Sequence, residues 1–159
     1  MPTFSARSKA NMDTCHDELK LVGYAAINYV DFTVLVGHRT KKQQDQALKD
    51  GTTTKAFPLS NHNILPSDAM DLAPFYPDVP AGGIDWRTDG ALFKAIAAGN
   101  IEEAKAILEN IKRWYAFGGF VKGTAAGKGI TLRWGGDWDG DYKYNDHTLV
   151  DLPHFERVK

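Results

Sequence analysis

Strand-like segments are few, short and unevenly spaced along this chain, and that limits its architecture more than any other feature. Phe32-Thr33-Val34-Leu35-Val36 is β-branched and partly alternating, which predicts a strand stopped by Gly37-His38-Arg39. Residues 69–73 predict a second strand, closed by Pro74, and 130–134 a third. The remaining patterned stretches are helical. Leu19, Val22, Ala26, Ile27 and Val30 recur at helical spacing behind a cap at Asp13 or Thr14. Thr40 is placed to cap a short helix over 41–49, with Gly51 ending it. A helix over 91–98 ends at Gly99. The strongest signal is 101–117, with Ala104, Ile107, Leu108 and Ile111 on one face and Gly118-Gly119 as its stop. Residues 52–67, 76–83 and 135–146 read as loops, and the glycine-rich run 122–129 as a turn. Helices and strands do not alternate regularly, so the expectation is α+β: a small antiparallel sheet flanked by helices. No repeat or linker divides the chain, which predicts one domain over 1–159.

Composition removes several classes of function. The 19 basic and 20 acidic residues give a formal net charge of -1, which argues against a nucleic-acid partner, whose binding needs a dense basic surface. No apolar stretch approaches the roughly 20 residues of a membrane span, so no membrane insertion is expected. The N-terminal ten residues lack an apolar h-region and a cleavage pattern, which predicts synthesis in the cytoplasm. Cys15 is the single cysteine, so a transition metal would have to be held by histidine and carboxylate.

The unusual polar residues concentrate in three segments: Gly37-His38-Arg39-Thr40, Ser60-Asn61-His62 through Asp71, and Asp151-Leu152-Pro153-His154. Each lies at or within a strand end, and alternation lets side chains from distant segments converge on one sheet face. Asp71 sits between Met70 and Leu72, so it is either solvated on the polar face or buried with a partner; strand alternation taken alone favours the former. The C-terminal segment adds a second histidine and a second carboxylate. His62, Asp71 and His154 would supply the three protein ligands of an open catalytic zinc site. Asp151 would stand beside the water in the fourth position as the base. Arg39 offers a guanidinium for the scissile carbonyl oxygen and its oxyanion, although position alone favours a surface arginine paired with an acid.

The run from Phe32 to Thr40 with Gln44, then Ser60-Asn61-His62, Ala69-Met70-Asp71, Trp134-Gly135-Gly136-Asp137-Trp138 and Asp151-Leu152-Pro153-His154-Phe155-Glu156, comes in the order of a known family. It resembles the VanY-type zinc D-alanyl-D-alanine carboxypeptidases, and more closely the phage L-alanyl-D-glutamate endopeptidases, or endolysins. The resemblance implies the Hedgehog/D-Ala-D-Ala peptidase-like fold with a zinc cleft on the sheet. It also implies Zn2+ on His62, Asp71 and His154, Asp151 as the catalytic carboxylate, Arg39 on the substrate carbonyl and Ser60 in substrate binding. The implied substrate is the peptidoglycan stem peptide. The implied setting is a monomer made in the host cytoplasm, reaching the cell wall once the membrane is permeabilised. A carboxypeptidase acting on terminal D-alanine, or a non-catalytic zinc module like the Hedgehog signalling domain, remain the alternatives. His62 and Asp71 stand nine positions apart, farther than in many relatives, so the link between them must bulge. Asp151 replaces a frequent glutamate, which leaves Glu156 as an alternative base.

Other features have plainer readings. Asp137, Asp139, Asp141 and Asp146 suggest a calcium loop, but Tyr142 and Thr148 stand where an EF-hand needs glycine and glutamate, so a solvated acidic turn fits better. His147 is expected at the surface and His38 along the cleft. Trp134 and Trp138 are expected in the core or the cleft wall, and Cys15 as a buried apolar residue.

Overall fold

We describe residues 1–79, 83–144 and 146–158 from a computed structural model of the chain. The expected loop over 76–83 lies partly outside these residues. The elements are α1 (Ala6–Asp13), α2 (Asp17–Ala26), β1 (Phe32–Val36), α3 (Lys41–Lys49), a 3-10 turn (Asn61–Asn63), β2 (Ala69–Pro74), α4 (Asp89–Ala97), α5 (Ile101–Ala126), β3 (Leu132–Trp134) and β4 (His154–Arg157). The four strands pair antiparallel in the order β1-β2-β4-β3. The architecture is α+β, as the spacing of strand segments predicts.

Alternation divides the sheet into two chemically distinct faces. Met70, Leu72, Phe155 and Trp134 enter the core, where Phe155 stacks on Trp134 with ring centroids 6.1 Å apart. Burying each side chain of this size stabilises the fold by roughly 1.5–3 kcal/mol. The intervening residues Asp71, His154 and Glu156 occupy the opposite face. Helix α5 closes the core with Trp114, Phe117, Val121 and Ala125, while Ala104, Ile107 and Ile111 pack against α4. Leu108, expected on that apolar face, is instead 40% exposed.

Helix α3 forms as predicted. Thr40 and Gln43 make a reciprocal capping box, and Gly51 takes a left-handed φ of 71° beyond its end. Two expectations fail. The first apolar stretch does form one helix, α2, but Asp13 and Thr14 end the helix before it and do not cap it. Ser5 caps α1, whose existence hydrophobic spacing does not reveal, and the His16 Nδ1 caps α2 by accepting from the Glu18 N–H. Helix α1 docks largely through polar groups: the Asn11 amide donates to the Val34 and Leu35 carbonyls at 2.9 Å, and Ser8 Oγ accepts from the Val34 N–H. It covers the outer edge of β1, a common way to protect an open strand.

The second failure is that Gly118-Gly119 does not stop α5, which runs on to Ala126 through most of the predicted turn over 122–129. Helix-interior glycine costs about 1 kcal/mol relative to alanine. Here the missing side chain is what packing requires, because a Cβ on Gly118 would collide with the Trp134 indole. A Cβ on Gly136 would meet the same ring. Among the described residues, no helix is long and apolar enough to cross a membrane.

Candidate metal centre and cleft

Strand register builds the site. Antiparallel pairing of β2 with β4 sets Asp71 directly opposite His154, and such partners have Cβ atoms about 5 Å apart on one face. On its other side Asp71 pairs with Val36, where β1 carries an irregularity after Val34. His62 arrives from the 3-10 turn. Ser60 Oγ accepts from the His62 N–H, the Arg39 N–H donates to the His62 carbonyl at 2.7 Å, and the Asn63 amide donates to the Arg39 carbonyl at 2.8 Å. The turn is thereby laced to the end of β1. The link from His62 to Asp71 does bulge, leaving Leu65 69% exposed. The link is pinned at Ser67, whose N–H donates to the Thr14 carbonyl and whose Oγ donates to the Ala69 carbonyl.

His62 Nε2, Asp71 Oδ1 and His154 Nδ1 converge. His62 Nε2 lies 3.1 Å from Asp71 Oδ1 and 3.3 Å from His154 Nδ1, and His154 Nδ1 lies 3.1 Å from Asp71 Oδ1. Ligands about 2.05 Å from a tetrahedral zinc are separated by about 3.3 Å, so the spacing suits that ion.

The protons point the same way. His62 Nδ1 is 2.7 Å from the Gly37 carbonyl, which can only accept, so this nitrogen carries a hydrogen and donates. His154 Nε2 lies 3.1 Å from Glu156 Oε2 and donates likewise. In the neutral rings the two inward nitrogens then present lone pairs, beside a carboxylate oxygen. Three such acceptors within 3.3 Å must be bridged by protons or by a cation. Fixing the outer ring nitrogen is how metal-ligating histidines are oriented.

Burial acts against charge on Asp71, yet the charge and hydrogen bonds of His62 and His154 outweigh it and hold the carboxyl far below the usual range. Burial also opposes charge on His154, but hydrogen bonds to Asp71 and Glu156 push its pKa up to about 9. Without a metal, this centre therefore keeps a proton that a cation would displace. Burial would raise Glu156 too, but hydrogen bonds from His154, Asn61 and Arg133 bring it down to about 2. Glu156 is almost fully buried, receives the Asn61 amide at 2.6 Å and pairs with Arg133. These contacts commit it to holding His154.

The three converging residues open onto a cleft of about 550 Å3 that is also lined by Arg39, Ser60, Asp151, Trp86 and Trp138. Asp151 is held by its backbone: its N–H donates to the Gly135 carbonyl at 2.8 Å, and its carbonyl accepts from the His154 N–H at 3.0 Å. A Cβ on Gly135 would strike the Asp151 backbone, which explains the first glycine of Trp134-Gly135-Gly136-Asp137-Trp138. Burial and the nearby Asp71 raise the Asp151 pKa above that of a free aspartate, against the opposing pull of His154, His62 and Arg39.

The structure thus brings the sequence-predicted residues to one cleft. Of the two placements open to Asp71, the paired one is observed. Arg39 does pair with an acid, and the acid is Asp71 itself, at 3.5 Å. His38 is not among the residues lining the cleft. Sequence reasoning overlooked the Gly37 carbonyl and the anchoring role of Glu156. The spacing His154-x-Glu156, which puts both on one strand face, was the available signal. Trp134 is core and Trp138 is cleft wall; Cys15 is buried, with burial pushing its thiol up to about 12.

In the acidic loop, Asp137 departs from the expected solvated turn. It is 1% exposed and paired with Lys122 Nζ at 3.1 Å. His147, expected at the surface, is half-buried between Asp137, Asp139 and Asp146.

Known proteins agree with this picture. Residues 2–120 match the family model described as phage L-alanyl-D-glutamate peptidase. The chain is 28% identical over 160 residues to the L-alanyl-D-glutamate peptidase of Escherichia phage T5, covering 98% of this chain and 97% of that protein. Its fold matches the crystal structure of the Serratia marcescens L-Ala D-Glu endopeptidase ChiX with a TM-score of 0.62 at 26% identity, over 98% of this chain and 89% of the other. This chain belongs to the phage L-alanyl-D-glutamate peptidase family.

Proposed function

We propose that the protein is a zinc-dependent endopeptidase that hydrolyses the L-alanyl–D-glutamate bond of the peptidoglycan stem peptide, working as a phage endolysin. The observation that carries this reading is the convergence of His62 Nε2, Asp71 Oδ1 and His154 Nδ1 with both outer ring nitrogens engaged. The names of the relatives supply the bond. They favour it over release of terminal D-alanine.

His62, Asp71 and His154 would hold the metal. When bound, zinc would supply a Lewis acid in the cleft and make a neighbouring water more acidic. Asp151 takes the proton of the attacking water and returns it to the departing amine. Its raised pKa suits that exchange, since a base works best when its pKa approaches the operating pH. Arg39 donates to the scissile carbonyl oxygen and to the negative charge that develops there, exchanging its 3.5 Å contact with Asp71 for the substrate. Ser60 contacts the bound peptide, and the Trp86 and Trp138 indoles form apolar walls that limit water around the reacting bond. The protein acts as a monomer, made inside the host and reaching the wall after another protein permeabilises the membrane.

The test is digestion of purified peptidoglycan by the zinc-restored protein, followed by mass analysis. New N-terminal D-glutamate, abolished by chelation and recovered with zinc, is the expected outcome. Release of free D-alanine, or cleavage that survives complete metal removal, would reject the reading.

A further inference from the structure

The cleft contains a cation that the chemistry described so far does not use. Of the residues lining it, Arg39 and Lys55 carry cationic side chains. Arg39 is engaged with Asp71 and Gln44, whereas Lys55 makes no side-chain ion pair with any described residue. Its backbone is nonetheless firmly placed. Gln44, fully buried, donates from Nε2 to the Lys55 carbonyl at 2.6 Å, and its Oε1 accepts from Arg39 Nη1 at 3.3 Å and Asn63 Nδ2 at 3.2 Å. The Lys55 N–H donates to Thr53 Oγ1, and Thr52 Oγ1 donates to the Ala47 carbonyl at the end of α3. One buried amide therefore ties the rim that carries Lys55 to the arginine assigned to the scissile carbonyl, and to the turn that carries His62.

A glutamyl residue has two carboxyl groups, and a linear peptide uses one of them in its onward amide. The other remains a free carboxylate a few bonds from the amide to be cut. We propose that Lys55 is the specificity-determining residue for the substrate: it binds this free carboxylate of the D-glutamyl residue while Arg39 serves the scissile carbonyl, with Gln44 as the positioning residue that sets the distance between the two cations. The inference rests on the endopeptidase reading above and names how that site recognises the acidic side of the bond. Lys55 lines the cleft without a side-chain ion pair to any described residue, so its charge is available to a substrate anion at that rim.

The test uses the full-length, zinc-loaded protein and two synthetic stem peptides that differ only at this group, one with the free glutamyl carboxyl and one with its primary amide. Wild type is expected to favour the carboxylate peptide by about tenfold or more in kcat/KM, as charge-assisted hydrogen bonds allow. Lys55→Met should raise KM for the carboxylate peptide by a similar factor with kcat little changed, leave the amide peptide unaffected, and so erase the preference; Lys55→Arg should retain most of it. A preference that persists in Lys55→Met would assign the carboxylate to another group and overturn the proposal. Equal losses on both peptides would overturn it too, by making Lys55 a general structural residue. If wild type cleaves neither peptide while remaining folded and zinc-loaded, the endopeptidase reading fails and this inference with it; cleavage of both peptides without discrimination overturns the Lys55 assignment alone.

Discussion

Among the described residues, two clusters bring histidine and carboxylate ligand atoms within 4.8 Å of one another: His62 with Asp71 and His154, and His147 with Asp137 and Asp139. Only the first is built as a centre. Its members sit on two paired strands and a capped turn, and Gly37 and Glu156 occupy the outer ring nitrogens. Both inward lone pairs are left for a cation. The second lies on an irregular loop. Asp137 is already neutralised by Lys122, the His147 Nε2 accepts from the Trp138 N–H at 3.3 Å, and Asp139 is exposed. Proximity is shared by both; what differs is whether the donor atoms are free and the backbone beneath them is rigid.

That contrast can be broken experimentally. The largest effect is expected from His154→Ala, which should lose bound zinc and reduce lytic activity by on the order of a thousandfold or more, since several kcal/mol of transition-state stabilisation leave with the metal. Metal analysis of the purified variant, beside loss of turbidity of bacterial walls, reads both quantities; zinc retained at full occupancy would remove His154 from the ligand set. Asp151→Asn should keep stoichiometric zinc and lose activity by about a hundredfold to ten-thousandfold, the usual weight of a general base. Glu156→Gln should instead weaken zinc binding by about tenfold, and the two variants together decide which carboxylate is the base.

The fourth expectation concerns pH. His154 in the metal-free protein is raised to about 9 from an ordinary value near 6.5. Its ion pairs therefore stabilise the fold fully below about pH 6.5, and that contribution fades as pH rises through 9. Asp71 and Glu156, held low, contribute at all pH values above the ordinary carboxylate range and lose their effect only in strong acid. Thermal unfolding of chelator-treated protein should thus show a midpoint that falls by several degrees between neutral pH and pH 9. The zinc-loaded protein should lack this slope, because metal-bound nitrogens hold no proton to lose. A flat profile in both forms would show that the inward nitrogens are not shared with a proton. Smallest of all, Asp139→Ala in the loop cluster should leave zinc stoichiometry unchanged; a lost equivalent of zinc would erase the distinction drawn between the two clusters.

Legibility in the sequence divides along the same line. Strand β1 and helix α3 were readable because their signals are local: β-branched residues before Gly37, and Thr40 with Gln43 around a helix start. The candidate ligands were readable as residue types, since histidine and aspartate placed among apolar neighbours are costly without partners. Helix α1 escaped because Met12 is its single buried apolar side chain, too little for a periodic stripe, and Ser8 and Asn11 supply polar docking beside it. Helix α5 was cut short because Gly118 obeys the Trp134 ring and not its own helix propensity.

By itself, then, the sequence determined which segments could be helix or strand, that any transition-metal site must use histidine and carboxylate, and which side chains were available for it. The tertiary structure alone decided that Asp71 faces His154, that the Gly37 carbonyl and Glu156 orient the two rings, and that Lys55 shares a cleft with Arg39. Those are matters of register and approach between segments as many as 92 positions apart. They are set by which sheet face is buried and how closely backbones can pass, and no local preference encodes either.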